Sequence, residues 1–499
     1  MTRRDLLKLG GIALPASTLC CIRPRPEPAL LPSRAELPAP FVRELPILAV
    51  ASPAKTDDKT DYYEFDVRPA RAKILPTAET EIWGYQGTFP GPIIQATRGR
   101  RVSLRLNNRL PVPIVNHLHG GRTSPESDGY PTDLVLPGSG FPHAMHDPLA
   151  RISNGSRDYI YENDQPAATL WYHDHRMDFT APQLWHGLAG FYIIHDPTED
   201  QLPLPTGERD VALLICDRSF DADGALLYPS LDPALRGPGG VTEKYMGGVL
   251  GDVVLVNGAP WPRMSVANTK YRFRILNASN ARRYELALDG IGAGFVQIGS
   301  DGGLLEAPVN LRTIRIAPAE RFEVIVDFSK AAVGSSVTLR NLAGSGRMSQ
   351  VMRFDVVRNE RDETSIPRVL RPVSDPGKPS LTREFDFSFA RLKHGWMING
   401  KPFDPMRMDA RPRLGATEVW RLSTDFSHPL HLHLVHFRIL SHSGRPGPYD
   451  AGWKDTIDLG PGQAAEILVR FDGYRGRYVF HCHNLEHEDM SMMANFEVV

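Results

Sequence analysis

The sequence predicts an all-β chain of three domains, and three observations carry that expectation. Short runs rich in Val, Ile, Phe and Tyr recur along the chain, broken by turns that draw on 43 Gly and 43 Pro. β-branched and aromatic residues suit strands, whereas Gly and Pro punctuate them. The 499 residues exceed the roughly 250–300 that one core supports, and length divided by about 150 gives three domains. Proline-rich or strongly charged stretches separate the strand-bearing parts.

Residues 1–21 read as a twin-arginine signal segment. Thr2-Arg3-Arg4-Asp5-Leu6-Leu7-Lys8 precedes a modest apolar stretch through Leu19. This is an export address rather than a fold element, so the twin-arginine export machinery is an expected partner and the destination is periplasmic or secreted. Cys20 and Cys21 end the segment, but Ser17-Thr18-Leu19 before them fits a lipoprotein site poorly. Residues 22–54, with Pro24, Pro26, Pro28, Pro32, Pro38 and Pro40, predict an extended tether.

The first domain is expected over 55–197, ending in the strand Gly190-Phe191-Tyr192-Ile193-Ile194 and the turn His195-Asp196-Pro197. The second spans 205–358 and includes strand-like runs from Lys270 to Leu276 and from Arg321 to Phe328. Residues 359–380 form a linker. Glu360, Arg361, Asp362 and Glu363, followed by Pro367, Pro372, Pro376 and Pro379, make it polar and poor at pairing as strand. The third domain covers 381–499, and Arg122 to Ala168 reads as a long connector inside the first.

Composition removes several function classes. Fifty-seven basic and 58 acidic residues leave a formal charge of −1, without the basic footprint of a nucleic-acid binder. No internal stretch is apolar enough to anchor the mature chain in a membrane, and a monomer is expected. With the signal removed only Cys216 and Cys482 remain, so a disulfide framework is not expected. Cys216, after Val211-Ala212-Leu213-Leu214-Ile215, predicts a buried strand thiol.

Of 17 histidines, ten fall in four tight clusters: His117-Leu118-His119, His173-Asp174-His175, His428-Pro429-Leu430-His431-Leu432-His433, and His481-Cys482-His483 with His487. Four times a histidine recurs at i and i+2, which in a strand puts both imidazoles on one face, about 6–7 Å apart. One such pair is commonly an exposed or hydrogen-bonded histidine. Eight neutral imidazoles together are costly to desolvate without a metal, and copper matches imidazole nitrogen well. In the last cluster Cys482 faces away from His481 and His483, so its thiolate serves one metal while its neighbours serve another. His428, His487 and Met492 complete a Cys-His-His-Met set of the electron-transfer type. Met490 and Met493 are alternatives for the methionine.

These residues resemble the multicopper oxidases, most closely the bacterial spore-coat laccases and bilirubin oxidases. The likeness continues through Tyr85-Gln86-Gly87-Thr88-Phe89-Pro90-Gly91-Pro92, Ser127-Asp128-Gly129-Tyr130-Pro131, Gly299-Ser300-Asp301-Gly302-Gly303-Leu304-Leu305 and Gly452-Trp453-Lys454-Asp455-Thr456. The resemblance implies three cupredoxin-like Greek-key β-barrel domains and four copper ions. A type 1 copper would take His428, Cys482, His487 and Met492. A type 2 copper would take His117 and His431. A type 3 pair would take His119, His173, His175, His433, His481 and His483, between the first and third domains.

It implies in turn that a small-molecule reductant, phenolic or a related aromatic, gives single electrons at the edge of His487 and that dioxygen is reduced to water by four electrons. Glu488 and Asp128 match acidic positions that supply protons, where an ordinary reading makes them structural carboxylates. Asp174 reads either as support for its flanking histidines or as a solvent-facing acid. His143, His146, His186, His195, His394, His436 and His442 have no assigned role. The alternatives are an envelope oxidase of Cu(I), Fe(II) or Mn(II), a non-catalytic cupredoxin scaffold, and a copper store. The first lacks its methionine-rich insertion here, the second usually loses ligands that this chain keeps, and the third needs no cysteine bracketed by histidines.

Overall fold

The computed structural model describes residues 26–139, 141, 147–292, 294–372, 374–390 and 395–499. The signal segment with Cys20 and Cys21, and His143, His146 and His394, lie outside the described residues. Strands take 45% of the chain and helices 6%, so the molecule is all-β. Among the described residues no helix is long and apolar enough to cross a membrane.

Among the described residues six large sheets fall into three pairs along the chain. The first pair joins a five-stranded sheet, built on Thr60–Ala72 and Arg101–Asn108, to a four-stranded one ordered Gly91–Thr97, Ala189–His195, Ala168–Asp174, Asn116–His119. The middle pair has seven and five strands. The last repeats the five-plus-four plan, its smaller sheet ordered Thr456–Leu459, His428–Leu432, Gly476–Cys482, Met493–Val498. In both four-stranded sheets the strands bearing the histidine pairs are neighbours. His117 lies opposite His173, and His431 opposite His481.

Alternation along these strands separates core from site. On Gly476–Cys482 the side chains of Tyr478, Phe480 and Cys482 enter the core of the last sheet pair, with Phe385, Trp420 and Phe496. Val479 packs the other way, against Tyr130 of the first sheet pair. Each fully buried side chain of this kind contributes about 1.5–3 kcal/mol, which fixes the register and hence the side on which His481 emerges. In the same way Leu170 and Tyr172 point into the first core, and His173 emerges opposite.

Two expectations need correction. The segment read as a tether is extended but docked, because its prolines are interleaved with apolar residues that find partners. Ala29–Leu30 pairs in parallel with Val249–Leu250, Glu44 bridges Arg263, Val50 bridges Ile93, and Leu31 and Leu45 are buried. The connector from Arg122 to Ala168 also contains strand. Ser156–Tyr161 pairs residue for residue with Asn107 back to Val102, a run whose charged residues hid its alternation.

Candidate metal centre

The four-stranded sheets of the first and last pairs face one another, and their histidines interleave. Rings two residues apart lie 5.6 Å apart for His117 and His119, 5.8 Å for His173 and His175, 4.9 Å for His431 and His433, and 5.6 Å for His481 and His483. Across the two sheets, His175 Nε2 and His433 Nε2 each lie 3.2 Å from His481 Nε2, and His117 Nε2 lies 3.4 Å from His431 Nε2. His119, His173 and His483 form another close group. All eight rings are buried.

The outward-facing nitrogens show why this arrangement suits a cation. His117 Nδ1 donates to Asp128 O at 2.6 Å, His173 Nδ1 to Asp174 O at 2.8 Å, His431 Nδ1 to Asp455 O at 2.9 Å, and His481 Nδ1 to Cys482 O at 3.1 Å. A carbonyl only accepts, so in these rings Nδ1 carries the proton and Nε2 presents a lone pair. His119 is reversed: its Nε2 faces Asp455 Oδ1 at 3.0 Å, and its Nδ1 has no hydrogen-bond partner among the described residues. Burial, then neighbouring imidazoles, push His117 and His433 well below the ordinary histidine range, so the rings are neutral. Neutral lone pairs converging at about 3 Å repel unless a metal lies between them, and anchored second nitrogens are the usual support of metal-bound histidine. The donor set therefore fits copper ions.

The second site lies on the opposite side of the Cys482 strand. His428 Nδ1 is 3.3 Å from Cys482 Sγ, His487 Nδ1 is 3.6 Å from it, and the two Nδ1 atoms are 3.1 Å apart. His487 Nε2 donates to Gly247 O at 3.2 Å, which leaves its Nδ1 lone pair for the site. Met492 is fully buried in the same core cluster as Cys482, whereas Met493 packs with Val479 and Tyr130 on the other face. Met490 is only partly buried, at the edge of that core. The His487 edge is not open, since His487 is 1% exposed and the Trp396 ring stacks on it with centroids 3.6 Å apart.

Both predicted acids are buried beside the histidines. Glu488 lies 3.1 Å from His481 Nδ1 and 3.4 Å from His175 Nδ1. Burial alone would raise its carboxyl, but His175 and His481 hold it below the usual range. Asp128 lies 2.8 Å from His433 Nδ1, and burial followed by Asp133 raises it well above the usual range. Asp174 does not face solvent. Its carboxylate accepts from Val115 N at 2.9 Å and Arg176 N at 3.0 Å, bracing the strand end that carries His173 and His175.

Sequence reasoning missed Asp455. It touches His119 and His431 and is clamped by Arg321 of the middle sheets, at 2.8 Å and 2.5 Å. Burial opposes its charge, but Arg321 and then His119 hold it well below the carboxylate range. Its signal was a charged pair, Lys454-Asp455, inside an otherwise apolar motif; Arg321 gave no local signal. Of the other histidines, His186 stacks on Trp83, His442 pairs with Asp450 at 3.0 Å, His195 lies 3.9 Å from Glu199, and His436 lies 3.7 Å from Asp455. Cys216 and Cys482 are free and buried.

Comparison with known proteins agrees with this geometry. Multicopper oxidase family models match residues 66–199, 240–340 and 374–499. A laccase of Bacillus stratosphericus is 38% identical, covering 92% of this chain and 99% of its own. A bilirubin oxidase of Albifimbria verrucaria is 35% identical over 92% of this chain and 80% of its own. Among solved structures, a laccase from Pediococcus acidilactici superposes with a TM-score of 0.82 at 31% identity, covering 94% of this chain and 96% of that one. The chain belongs to the multicopper oxidase family, and it is a copper-dependent oxidoreductase that uses dioxygen as its acceptor.

Proposed function

We propose that His428, Cys482, His487 and Met492 hold the type 1 copper, that His117 and His431 hold the type 2 copper, and that His119, His173, His175, His433, His481 and His483 hold the type 3 pair. The chain is then a laccase-like oxidase of small phenolic or related aromatic reductants. The observation that carries this reading is the strand end at Cys482, whose thiol joins one cluster while its two neighbours join the other. Bound copper supplies one-electron redox chemistry, four electrons per dioxygen.

The residues do the rest. Cys482 offers a covalent path from its sulfur through one peptide unit to either His481 or His483. Carbonyls and Asp455 fix the ring nitrogens in advance, so little reorganisation accompanies each transfer. Asp128, whose carboxyl burial raises well above the usual range, serves as a proton donor with its Oδ2 2.8 Å from His433 Nδ1. Glu488 accepts and passes protons beside His175 and His481. Enclosure of the histidines excludes bulk water and keeps partly reduced oxygen from escaping.

The test is oxygen uptake by copper-loaded protein with phenols, bilirubin, Cu(I), Fe(II) and Mn(II) compared at equal concentration. Small phenols should give the highest kcat/KM; a clear preference for a metal ion would replace this reading. The chain acts as a monomer outside the cytoplasm, exported through the twin-arginine route. Replacing Arg3 and Arg4 together by Lys should trap active enzyme in the cytoplasm on fractionation, and undiminished delivery would refute that route.

A further inference from the structure

His487 is closed over by one loop. Gly247 O accepts from His487 Nε2 at 3.2 Å and from Asn484 Nδ2 at 3.0 Å. The preceding carbonyl, Met246 O, accepts from Trp396 Nε1 at 3.0 Å, and Trp396 is the ring stacked on His487. Two successive carbonyls thus hold the histidine and the indole that covers it.

The loop is held in part by its own turn, where Tyr245 N donates to Thr242 O at 2.8 Å and Gly248 N to Tyr245 O at 2.9 Å, and by Val249 N donating to Glu486 Oε2 at 3.1 Å. Gly239, Gly240, Gly247 and Gly248 loosen it, the last at φ +132°. It leans as well on the docked N-terminal segment. Ala29 N donates to Gly248 O at 2.9 Å and Leu31 N to Leu250 O at 2.8 Å. Pro26 and Glu27 press so closely on Gly247 that a Cβ there would collide with both. Leu31 is buried with Trp185, Val241, Tyr245 and Val249. Beyond it the segment is fastened by Ser33 N to Asp252 Oδ2 at 2.7 Å and Arg34 N to Phe220 O at 2.7 Å.

We propose that residues 26–34 are a specificity-determining strap for electron entry: by pinning residues 246–250 over His487 they bar bulky reductants from its ring edge and favour small ones that give electrons across the covering carbonyl and indole. This rests on His487 being a type 1 ligand. Electron transfer weakens steeply with distance, so a broad planar reductant held off by the loop and its strap is penalised more than a compact one that settles against the cover. The effect falls on productive binding, hence on KM before kcat.

Three variants loosen the strap by different means: deletion of 26–34, Ala29→Pro, which removes the donor to Gly248 O, and Gly247→Ala, whose methyl pushes Pro26 and Glu27 away. Each is read in the copper-loaded full chain by oxygen uptake with ferrocyanide as the compact reductant and bilirubin as the bulky one. Hydrogen exchange of residues 246–250 is followed with and without copper. The ratio of kcat/KM for bilirubin to that for ferrocyanide should rise at least about tenfold, mainly through the bilirubin KM, as exchange accelerates. Faster exchange with an unchanged ratio overturns the proposal, as does unchanged exchange in all three. If the deletion fails to fold, the two point variants decide. Copper-replete protein that consumes no oxygen with either reductant would instead sink the oxidase reading, while exchange would still report whether the segment pins the loop.

Discussion

Two strands of this molecule carry the same pattern with one difference. His173-Asp174-His175 ends a strand of the first sheet pair, and His481-Cys482-His483 ends one of the last. In each the flanking imidazoles point to the shared cluster and the middle side chain points back toward its own barrel. In the first barrel that residue is a carboxylate that accepts two backbone N–H groups. In the last it is a thiol that meets His428 and His487. The comparison teaches that the cluster needs only the flanking positions. What the middle position holds decides whether a strand merely supports the cluster or also connects it to a second metal.

The strongest way to break the comparison is Cys482→Ser. The visible charge-transfer band of a copper–thiolate bond should vanish and turnover should fall by roughly 10³-fold or more, about 4 kcal/mol of barrier, while copper bound by the eight clustered histidines remains. A persisting blue band would show that Cys482 is not the thiolate. Glu488→Gln comes next and separates the two clusters functionally. Anaerobic reduction by a phenol should keep nearly its normal rate, and reoxidation by dioxygen should slow by roughly 10²-fold, the scale of losing a positioned acid. Equal rates in both half-reactions, with copper intact, would make Glu488 structural. Asp174→Ala should have the smallest effect on chemistry. Leaving two buried N–H groups unpaired costs about 2–4 kcal/mol, seen as a lower unfolding midpoint of the copper-free protein with the blue band retained in the loaded one. Bleaching by this variant would mean that the two strands are not distinguished by their middle residue.

Much of the site was legible because it is local. The i, i+2 pairs need only strand periodicity to place two rings on one face, and Cys482 between His481 and His483 needs nothing more to be set opposite them. What was illegible depends on contacts between distant segments. No pattern near Arg321 announces that it clamps Asp455, 134 positions away. Nor does the proline-rich run at 26–34 announce that it lies beside Val249–Leu250. Prolines there argued for an unpaired chain, and a two-residue parallel pairing lies below what composition can signal. That Trp396 covers the edge of His487 was likewise illegible, because a ligand's local sequence does not show what folds over it.

The clamp of Arg321 on Asp455 has a consequence for how the protein is made. Domains emerging from a ribosome fold in order, the N-terminal one first. The first barrel therefore completes its histidine rows long before His481 and His483 exist, and the middle barrel presents Arg321 before Asp455 arrives to meet it. Until the last stretch of chain is synthesised, four buried-to-be imidazoles and one arginine stand without their counterparts, a half-socket able to shed any ion it picks up. A chain cut short before His481 would lack His481 and His483 and so could offer only part of the cluster that the two barrels share.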